Sequence, residues 1–406
     1  MTKTITVSDF NEAIEALKKP DLKQSLYNAG GILMQDVLIT LHGAEHIRRR
    51  SVESKLFRRN FFSYFENEVF PAILESALEQ FLTEKHCDLK QLGYRIMVNL
   101  SIVFSGVDRQ DNSLEEANAL HDVLHNLGLA VVLGQLVDEG ERQAAEKAVN
   151  DALTMFDERF FQPSRSRREL LIQQVRDGEL EEDDLPRDIL TVLLLNNNDK
   201  LQLSDDLLMR EVAFFFLASS HTSVHTITHV MNEIMTWYQD KPEHHSVLAE
   251  DILMLQKFVH ESMRLHPSSP EARRSAEANV DLASQGVAEH GDTVVISLQE
   301  ASRDKKIYGA DAEEFNPARE CPARLLPTGL TFSGGPHVCL GMNLVAGTML
   351  KKGQECDPEK YQYGTIALIA QELLRRGIEF DPSKPPVRDM SNTRDMWDTF
   401  PVVFNK

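Results

Sequence analysis

Apolar residues recur at helical spacing through most of this chain. From Phe61 to about Asn196, and again over 203–238 and 253–265, apolar side chains return every three or four positions between polar ones. The segment 293–298 predicts a strand. The hydrophobic pattern therefore predicts a mainly α protein with small β-sheets.

Polar and glycine-containing stretches divide this helical pattern. Breaks within 61–196 are predicted near Lys85–Asp88, Gly106–Asn112 and Gly178–Pro186. A capped start over 7–13 predicts a short helix that ends at about Lys18. Residues 28–40 mix glycines with apolar side chains, and we interpret them as a mobile apolar loop.

Composition narrows the class of protein. The chain has 406 residues, 42% of them hydrophobic, and a net charge of −20, which argues against binding to nucleic acid. Four scattered cysteines suit a reducing compartment rather than a disulfide framework. Apolar runs are too short to span a membrane, and acidic residues interrupt the N-terminal segment. We expect a cytoplasmic protein without a membrane anchor.

One glycine-rich stretch, Phe332–Gly341, places a single cysteine before an apolar, helix-like run over 340–350. A thiolate at Cys339 would lie near a helix N-terminus, where free N–H groups stabilise negative charge. Haem iron accepts such a ligand. Three other interpretations are a buried structural cysteine, a nucleophile with a distant base, and a zinc site. The zinc site would use Cys321, His337, Cys339 and Cys356, whose spacings match no usual pattern.

The same ten residues resemble the haem-binding loop of the cytochrome P450 family. Phe332, Gly335, Cys339 and Gly341 occupy the four positions of that motif. The resemblance implies a haem b, iron protoporphyrin IX, with the Cys339 thiolate as its metal ligand. It covers about the whole chain as one domain over 1–406, with an α-rich body and a smaller β-rich lobe.

Other motifs extend the resemblance along the chain in the family's order. His46 and Arg50 are four residues apart on a predicted helix and are similar to the family's propionate-binding pair. The resemblance assigns Arg274 and His337 to the propionates as well. A solvated basic face is the alternative for the helix that carries His46.

The centre of the long predicted helix resembles the family segment that crosses the oxygen-binding face of the haem. Ala218 would lie against the cofactor, and Thr222 matches the family's threonine. His221 stands where the family has a proton-relaying carboxylate, and Ser219 where a glycine is common. Histidine also transfers protons near neutral pH, so we predict that His221 and Thr222 are catalytic. The alternative to a catalytic role is that this face of the helix packs in the hydrophobic core, where His221 is hydrogen-bonded.

A Glu-x-x-Arg sequence, Glu261 and Arg264, resembles the structural motif of the family, and Arg319 matches the arginine that completes it. Substrate contacts are predicted for five residues, on the expectation of an apolar pocket: Phe214, Leu217, Ser269, Pro270 and Trp397.

Two regions depart from the family pattern. The motif at His46 begins early, which predicts an N-terminally shortened fold. Either its substrate entrance is more open, or a second copy of the chain covers the exposed apolar surface. The stretch 348–364 is predicted to be an insertion that brings Lys351, Lys352 and Lys360 near the cysteine side of the haem. The alternative explanation for the early motif is a misassigned start codon. The alternative for the stretch 348–364 is a surface loop without a function.

The resemblance implies a monooxygenase that inserts one oxygen atom from O₂ into a small, largely apolar substrate. Electrons would come from a ferredoxin and its reductase. A positive patch of Arg48, Arg49, Lys55, Arg58 and Arg59 would attract an acidic donor. The alternatives are a peroxide-driven or non-hydroxylating P450, which couples or rearranges its substrate, and a non-catalytic haem-binding sensor.

Overall fold

A computed structural model describes residues 2–82, 84–322, 324–349, 357, 361–390 and 394–405. The chain divides into two compact units, one made of 1–23, 62–96 and 222–406 and the other of 24–61 and 97–221. Among the described residues, no helix has the length and apolar character to cross a bilayer.

Helices dominate the described chain, as the hydrophobic pattern predicts. In chain order they are α1 Phe10–Lys18, α2 Gly31–Met34, α3 Gly43–Glu53, α4 Arg59–Tyr64, α5 Phe70–Leu82, α6 Leu89–Ser105, α7 Leu114–Val132, α8 Glu139–Met155, α9 Gln162–Arg176, α10 Ile189–Asn196, α11 Asp205–Asp240, α12 His244–Glu250, α13 Ile252–Leu265, α14 Leu298–Ala301, α15 Lys305–Tyr308, α16 Met342–Ala346 and α17 Thr365–Arg375. The strands are β1 Thr4–Val7, β2 Leu22–Gln24, β3 His86–Asp88, β4 Glu271–Ala276, β5 Val280–Asp281, β6 Val287–Ala288, β7 Thr293–Ser297, β8 Ile378–Phe380, β9 Val387–Arg388, β10 Trp397–Thr399 and β11 Pro401–Phe404.

The largest sheet of the first unit has the strand order β1-β7-β4-β2. Strand β7 confirms the prediction for 293–298; it pairs with β1 in parallel and with β4 in antiparallel register. Val294 and Ile296 of β7 are fully buried with Phe10 of α1. Helix α1 begins as predicted, because the Asp9 carboxylate accepts hydrogen bonds from two N–H groups of its first turn.

A second sheet, β3-β11-β8, is antiparallel throughout. Its strand β3 lies within the break predicted at 85–88. Three residues are too few to show a period, so the pattern gives no signal for this strand.

The second unit contains the segment predicted as a mobile loop, and the structure corrects that prediction. Residues 31–34 form helix α2 between two short 3₁₀ turns. Leu33, Met34 and Val37 are almost completely buried. The apolar side chains belong to the core because burial favours them more than the glycines disfavour local order.

The predicted break over 106–112 folds around one carboxylate. Glu116 of α7 is completely buried and accepts hydrogen bonds from the backbone N–H groups of Gln110 and Asn112, at 2.5 and 3.0 Å. Ser113 caps the same helix. The Glu116 carboxylate of α7 therefore holds this loop in place through hydrogen bonds to the loop backbone.

Two long predicted helices are confirmed nearly to their ends. The segment 203–238 corresponds to α11 and the segment 253–265 to α13. The helix predicted over 340–350 is shorter, since α16 covers only Met342–Ala346 and ends at Gly347, whose φ is +74°.

The two ends of the predicted insertion 348–364 meet. The Thr348 N–H donates to the Gln362 carbonyl at 2.8 Å, and the Gln256 amide donates to the Ala346 and Tyr363 carbonyls, each at 2.9 Å. A Cβ on Gly364 would lie 2.5 Å from the Gly347 nitrogen, so only glycine permits this approach. Lys351, Lys352 and Lys360 lie outside the described residues, and the insertion remains a prediction.

Candidate functional site

The loop around Cys339 closes on itself and presents the cysteine outward. The Cys339 N–H donates to the Phe332 carbonyl at 2.9 Å, and residues 335–337 form a 3₁₀ turn between them. The Cys339 side chain is exposed. Gly341 precedes α16, and a Cβ there would make only an ordinary contact with the sulfur, at 3.8 Å.

Gly335 is the loop position that the structure restricts to glycine. Its φ is +63°, and an added Cβ would lie 2.3 Å from the Leu17 carbonyl oxygen at the end of α1. His337 follows in the same turn and is half-buried. The loop is thus seated against α1 by a close backbone approach, with its thiol directed away from the core.

The other two described cysteines are held as thiols. Burial, with the charges of Asp88 and Glu84, raises the pKa of Cys87 to about 12. Burial is also the main cause that raises the pKa of Cys321. The zinc set of Cys321, His337, Cys339 and Cys356 is not tested, because Cys356 lies outside the described residues.

Helix α11 is buried along its centre except on one narrow strip. Between residues 211 and 230, only Ala218 and Thr222 are exposed, one helical turn apart, and the half-buried positions are Ser219 and His221. Thr222 accepts a hydrogen bond at its carbonyl from the Thr226 hydroxyl, at 2.9 Å. The strip coincides with the positions predicted to face the haem.

His221 lies against helix α7 within the second unit. Its Nε2 is 3.2 Å from the Leu124 carbonyl oxygen. A Cβ on Gly128 would lie 2.7 Å from the same nitrogen, so the glycine provides the space that the imidazole occupies. This contact sets the orientation of the ring.

Ser219 has a structural partner that sequence reasoning did not identify. Its hydroxyl donates to the Ser101 hydroxyl at 2.7 Å and contacts the Phe215 carbonyl at 2.9 Å. Ser101 also lies 2.7 Å from the Ser220 hydroxyl. A serine in place of the family's glycine therefore connects α6 to α11 by hydrogen bonds.

His46 and Arg50 lie on α3 as predicted. His46 is buried, and burial followed by the charges of Arg50 and His42 lowers its pKa to about 4. The imidazole is therefore neutral at pH 7 and able to donate one N–H to an anion. Arg50 is half-buried.

The positive patch predicted on α3 is smaller than expected. Arg49 is 2% exposed and pairs with Glu211 at 2.5 Å, so it is not part of any surface. Arg48 is exposed but pairs with Glu45 of the same helix at 2.8 Å. Of the remaining patch residues, Lys55 and Arg58 are exposed, and the side chain of Arg59 lies outside the described part of the chain.

Arg274 points inward from strand β4 and is 3% exposed, opposite Val294 of β7. Its Nη1 donates to the carbonyl of Arg273 at 3.0 Å. The alternation of strand positions places Arg273 outward and Arg274 inward.

Glu261, Arg264 and Arg319 form one network, as the motif predicts. Arg264 makes a two-bond contact with Glu261, at 2.8 Å for each bond, and Arg319 Nε donates to the same carboxylate at 3.0 Å. Arg264 also donates to the Ser302 and Ala312 carbonyls. All three side chains are shielded from solvent, which makes the network a structural lock.

The predicted substrate residues fall into two groups. Phe214 and Leu217, in the second unit, are buried, and Phe214 packs edge-on against Phe215 at 5.4 Å. In the first unit, Ser269 and Pro270 are half-buried. Trp397 is 8% exposed and packs against Phe400 and the Arg388 guanidinium.

Sequence comparison identifies the family. The cytochrome P450 family profile matches residues 23–351, and the chain belongs to this family. It is 37% identical to cytochrome P450 52A10 of Candida maltosa over 161 residues, which are 37% of this chain and 28% of that protein. It is 28% identical to cytochrome P450 52C2 of the same yeast over 308 residues, 69% of this chain and 55% of that protein. The chain therefore spans about half or less of the length of these curated relatives.

Solved structures share the fold. CalO2 superposes with a TM-score of 0.71 at 16% identity, covering 98% of this chain and 90% of that one. CYP109E1 from Bacillus megaterium in complex with testosterone superposes with a TM-score of 0.69 at 18% identity, covering 99% and 93%. The mainly α fold with small sheets is therefore the cytochrome P450 fold, as predicted.

Proposed function

We propose that this protein is a haem-thiolate monooxygenase that inserts one oxygen atom from O₂ into a small, largely apolar organic molecule. The observation that carries the proposal is the Phe332–Gly341 loop, which is closed by its own hydrogen bond and presents an exposed cysteine. The exposed strip of Ala218 and Thr222 on the otherwise buried central part of α11, residues 211–230, supports it. The cysteine loop suits a large flat group bound by sulfur.

Family membership and the donor set support haem b as the cofactor. Cys339 would ligate the iron, and the bound haem would supply the activation of O₂. Arg274 and His337 would hold propionates, together with His46 and Arg50. A neutral imidazole beside a guanidinium suits a carboxylate, because both donate hydrogen bonds.

The carbon-monoxide spectrum of the purified, reduced protein tests this proposal. A thiolate-ligated haem gives a red-shifted Soret band, and Cys339→Ser should abolish that shift. Cys87→Ser and Cys321→Ser are the matched controls, since burial holds both residues as thiols, and both variants should keep it. A wild-type protein without the shifted band would refute the proposal.

Thr222 and His221 are proposed to manage protons at the oxygen-binding face. The Thr222 hydroxyl would position the reacting oxygen, and His221 would pass protons to it from solvent. A histidine near neutral pH accepts and donates protons readily. The short distance between His221 and the Leu124 carbonyl supports a fixed ring orientation.

An apolar organic substrate is proposed from the residues assigned to the pocket. Phe214, Leu217 and Trp397 are apolar or aromatic, and Ser269 and Pro270 carry no charge. Among proteins similar to this one, benzoate 4-monooxygenase of Aspergillus niger is named for an organic acid, and a CYP109E1 structure contains testosterone. A ligand screen read through the spin state of the haem iron would identify the substrate class.

We further propose that a ferredoxin and its reductase supply the electrons in the cytoplasm, and that a second copy of the chain covers its N-terminal side. Lys55 and Arg58 remain as exposed cations of the proposed docking patch. Replacing 349–361 with a short glycine-serine linker tests whether the insertion contributes to docking. Unchanged reduction kinetics would refute that contribution, and sedimentation measures the oligomeric state.

His221 occupies the position at which the family has an acid, and this difference also favours a second candidate function. The candidate is a P450 that is driven by peroxide, or one that couples or rearranges its substrate. Weak proton delivery would suit either reaction. Turnover with peroxide that exceeds turnover with a ferredoxin system would favour this candidate. A spin state indifferent to every small molecule would instead favour a non-catalytic sensor.

A further inference from the structure

Two side chains of α13 hold the end of α16, the short helix that follows the cysteine loop. The Ala346 carbonyl, at the last residue of α16, accepts a hydrogen bond from His260 Nε2 at 2.8 Å and another from the Gln256 amide at 2.9 Å. His260 and Gln256 are four residues apart on α13, so both side chains lie on one face of that helix. The carbonyls at the end of a helix lack partners within it, and here α13 supplies them.

Both donors lie in the interior of the first unit. Gln256 is 3% exposed and His260 is 6% exposed. Since a carbonyl oxygen only accepts, Nε2 carries the proton of the neutral His260 ring. Burial lowers the pKa of His260 to about 4, so the ring keeps this form at neutral pH. The Gln256 amide also donates to the Tyr363 carbonyl at 2.9 Å, and its oxygen accepts the Tyr361 hydroxyl. Buried polar groups bonded in this way specify one position for their partner.

Helix α16 is short enough to carry that position to the cysteine. It has five residues and is therefore about 7 Å long. The Val345 N–H donates to the Gly341 carbonyl at 2.9 Å, which connects the end of the helix to its start. A Cβ on Gly341 would lie 3.8 Å from the Cys339 sulfur and 4.0 Å from Val345 Cγ2, so the sulfur lies beside the start of α16. A shift of α16 would move the backbone next to the sulfur.

Helix α13 is itself fixed in place. Glu261 follows His260 directly and accepts hydrogen bonds from Arg264 and Arg319, at 2.8 and 3.0 Å. The same helix therefore carries one residue of the structural lock and, on the preceding turn and residue, the two donors to α16. The lock holds α13, and α13 holds the helix that continues the cysteine loop.

We propose that His260 and Gln256 are positioning residues for Cys339, which act through α16 and keep the sulfur in place as a thiolate ligand. This proposal rests on the haem-thiolate function proposed above. Without its two donors, the Ala346 carbonyl no longer fixes α16 against α13, and the sulfur loses its fixed place. A displaced sulfur is protonated more readily, because ligation is what keeps the thiol deprotonated.

The carbon-monoxide spectrum of the haem-containing protein measures this effect through the lifetime of the shifted Soret band, at a temperature where all variants remain folded. His260→Leu and Gln256→Met each remove a donor and keep a similar side-chain volume. We expect the shifted band to be lost about tenfold faster in each, in line with the loss of one buried hydrogen bond. His260→Gln, whose amide nitrogen can replace Nε2 as the donor, should keep the wild-type lifetime.

Gln371→Met is the matched control. Gln371 is also a buried amide of the first unit, 6% exposed, but it donates to the Ala249 carbonyl of α12, at 3.2 Å. Both methionine variants should melt at a lower temperature than the wild type. Only Gln256→Met should shorten the lifetime of the shifted band, because only Gln256 contacts α16.

Two results would overturn the proposal. One is a wild-type lifetime in both His260→Leu and Gln256→Met, and if the first fails to fold, the second decides alone. The other is an equal loss of lifetime in Gln371→Met, which would show that general stability sets the lifetime. Both results differ from a wild type that lacks the shifted band, which would refute the haem-thiolate function and this proposal with it.

Discussion

Arg49 Nη1 lies 2.5 Å from Glu211 Oε2, and both side chains are almost completely excluded from solvent. Glu211 also accepts the Leu38 N–H at 3.0 Å, so this carboxylate joins α3 and α11 to the segment that precedes α3. Glu53 is buried beside the pair. An arginine within a basic sequence run is thus part of the core of the second unit.

Removing the Arg49 charge should strongly destabilise the protein. Arg49→Met would leave the Glu211 carboxylate buried without its cation, which costs about 3–5 kcal/mol in comparable cases. Arg48→Met, one position earlier but exposed, should change the free energy of unfolding by less than about 0.5 kcal/mol. Urea denaturation followed by circular dichroism measures both, and equal losses would contradict the buried pair.

The pH dependence of stability should reveal Glu53. Burial and then the Glu211 carboxylate raise its pKa well above 4.5, although Arg49 opposes this. Below pH 4.5 the folded and unfolded states both hold the proton. As pH rises further, only the unfolded state loses it, so the free energy of unfolding falls by up to about 1.4 kcal/mol per pH unit.

Glu53→Gln removes this titration. The variant should therefore gain stability over the wild type as pH rises from 4.5, whereas Glu141→Gln, at an exposed position, should not. Denaturation at a series of pH values checks the prediction. A gap between Glu53→Gln and the wild type that does not widen with pH would be incompatible with a raised pKa.

Arg319 should not tolerate a conservative change. Its guanidinium donates to Glu261 at 3.0 Å, to Asp311 Oδ1 at 2.8 Å and to the Tyr308 carbonyl at 2.6 Å. A lysine ammonium cannot reach these groups together, so Arg319→Lys should cost about 3 kcal/mol, the value of one or two charge-assisted bonds.

Arg273→Lys is the control for this change, because Arg273 forms an exposed pair with Glu271. Its cost should stay below about 0.5 kcal/mol. Thermal unfolding of the two variants provides the comparison. Similar melting temperatures would show that the Glu261 network is not a lock.

The proposed relay can be tested without altering His221 itself. Gly128→Ala places a methyl group 2.7 Å from the present position of His221 Nε2 and should displace the ring. Gly93→Ala gains the same helix propensity but meets Val224 only at 3.4 Å. If His221 relays protons, Gly128→Ala and His221→Asn should both raise the electrons consumed per product, by about tenfold or more.

Electron consumption and product are measured with the substrate that the spin-state screen identifies. Normal coupling in His221→Asn would eliminate the relay. Normal coupling in Gly128→Ala alone would show that the ring adapts to the methyl group. Gly93→Ala should match the wild type in either case.

The sequence predicts the elements whose pattern is long. Helices α11 and α13 show many helical periods, and α1 has a capping residue at its start, so all three are located correctly. The family motifs also predict the meeting of Glu261, Arg264 and Arg319, although 58 residues separate the first from the last. In each case the signal lies in neighbouring residues or in a motif known as a unit.

Features that depend on residues far apart in the sequence cannot be predicted from local sequence patterns. Arg49 looks like its exposed neighbour Arg48 until Glu211, 162 positions later, is placed beside it. The stacking of His229 on His266 has the same origin, since no local spacing relates the two rings. Strand β3 and the turns over 28–40 are too short to show a period and are defined by what they pack against.

The hydrogen bond between Thr348 and Gln362 brings these two positions of the chain together. Since the two ends are held by their own backbone and by Gln256, a longer connection could join them without moving either end. Each doubling of such a loop adds only about 0.6 kcal/mol of closure entropy. A fluorescent protein inserted between these positions should therefore leave the Thr348–Gln362 hydrogen bond in place, which makes this junction a suitable point for attaching a label.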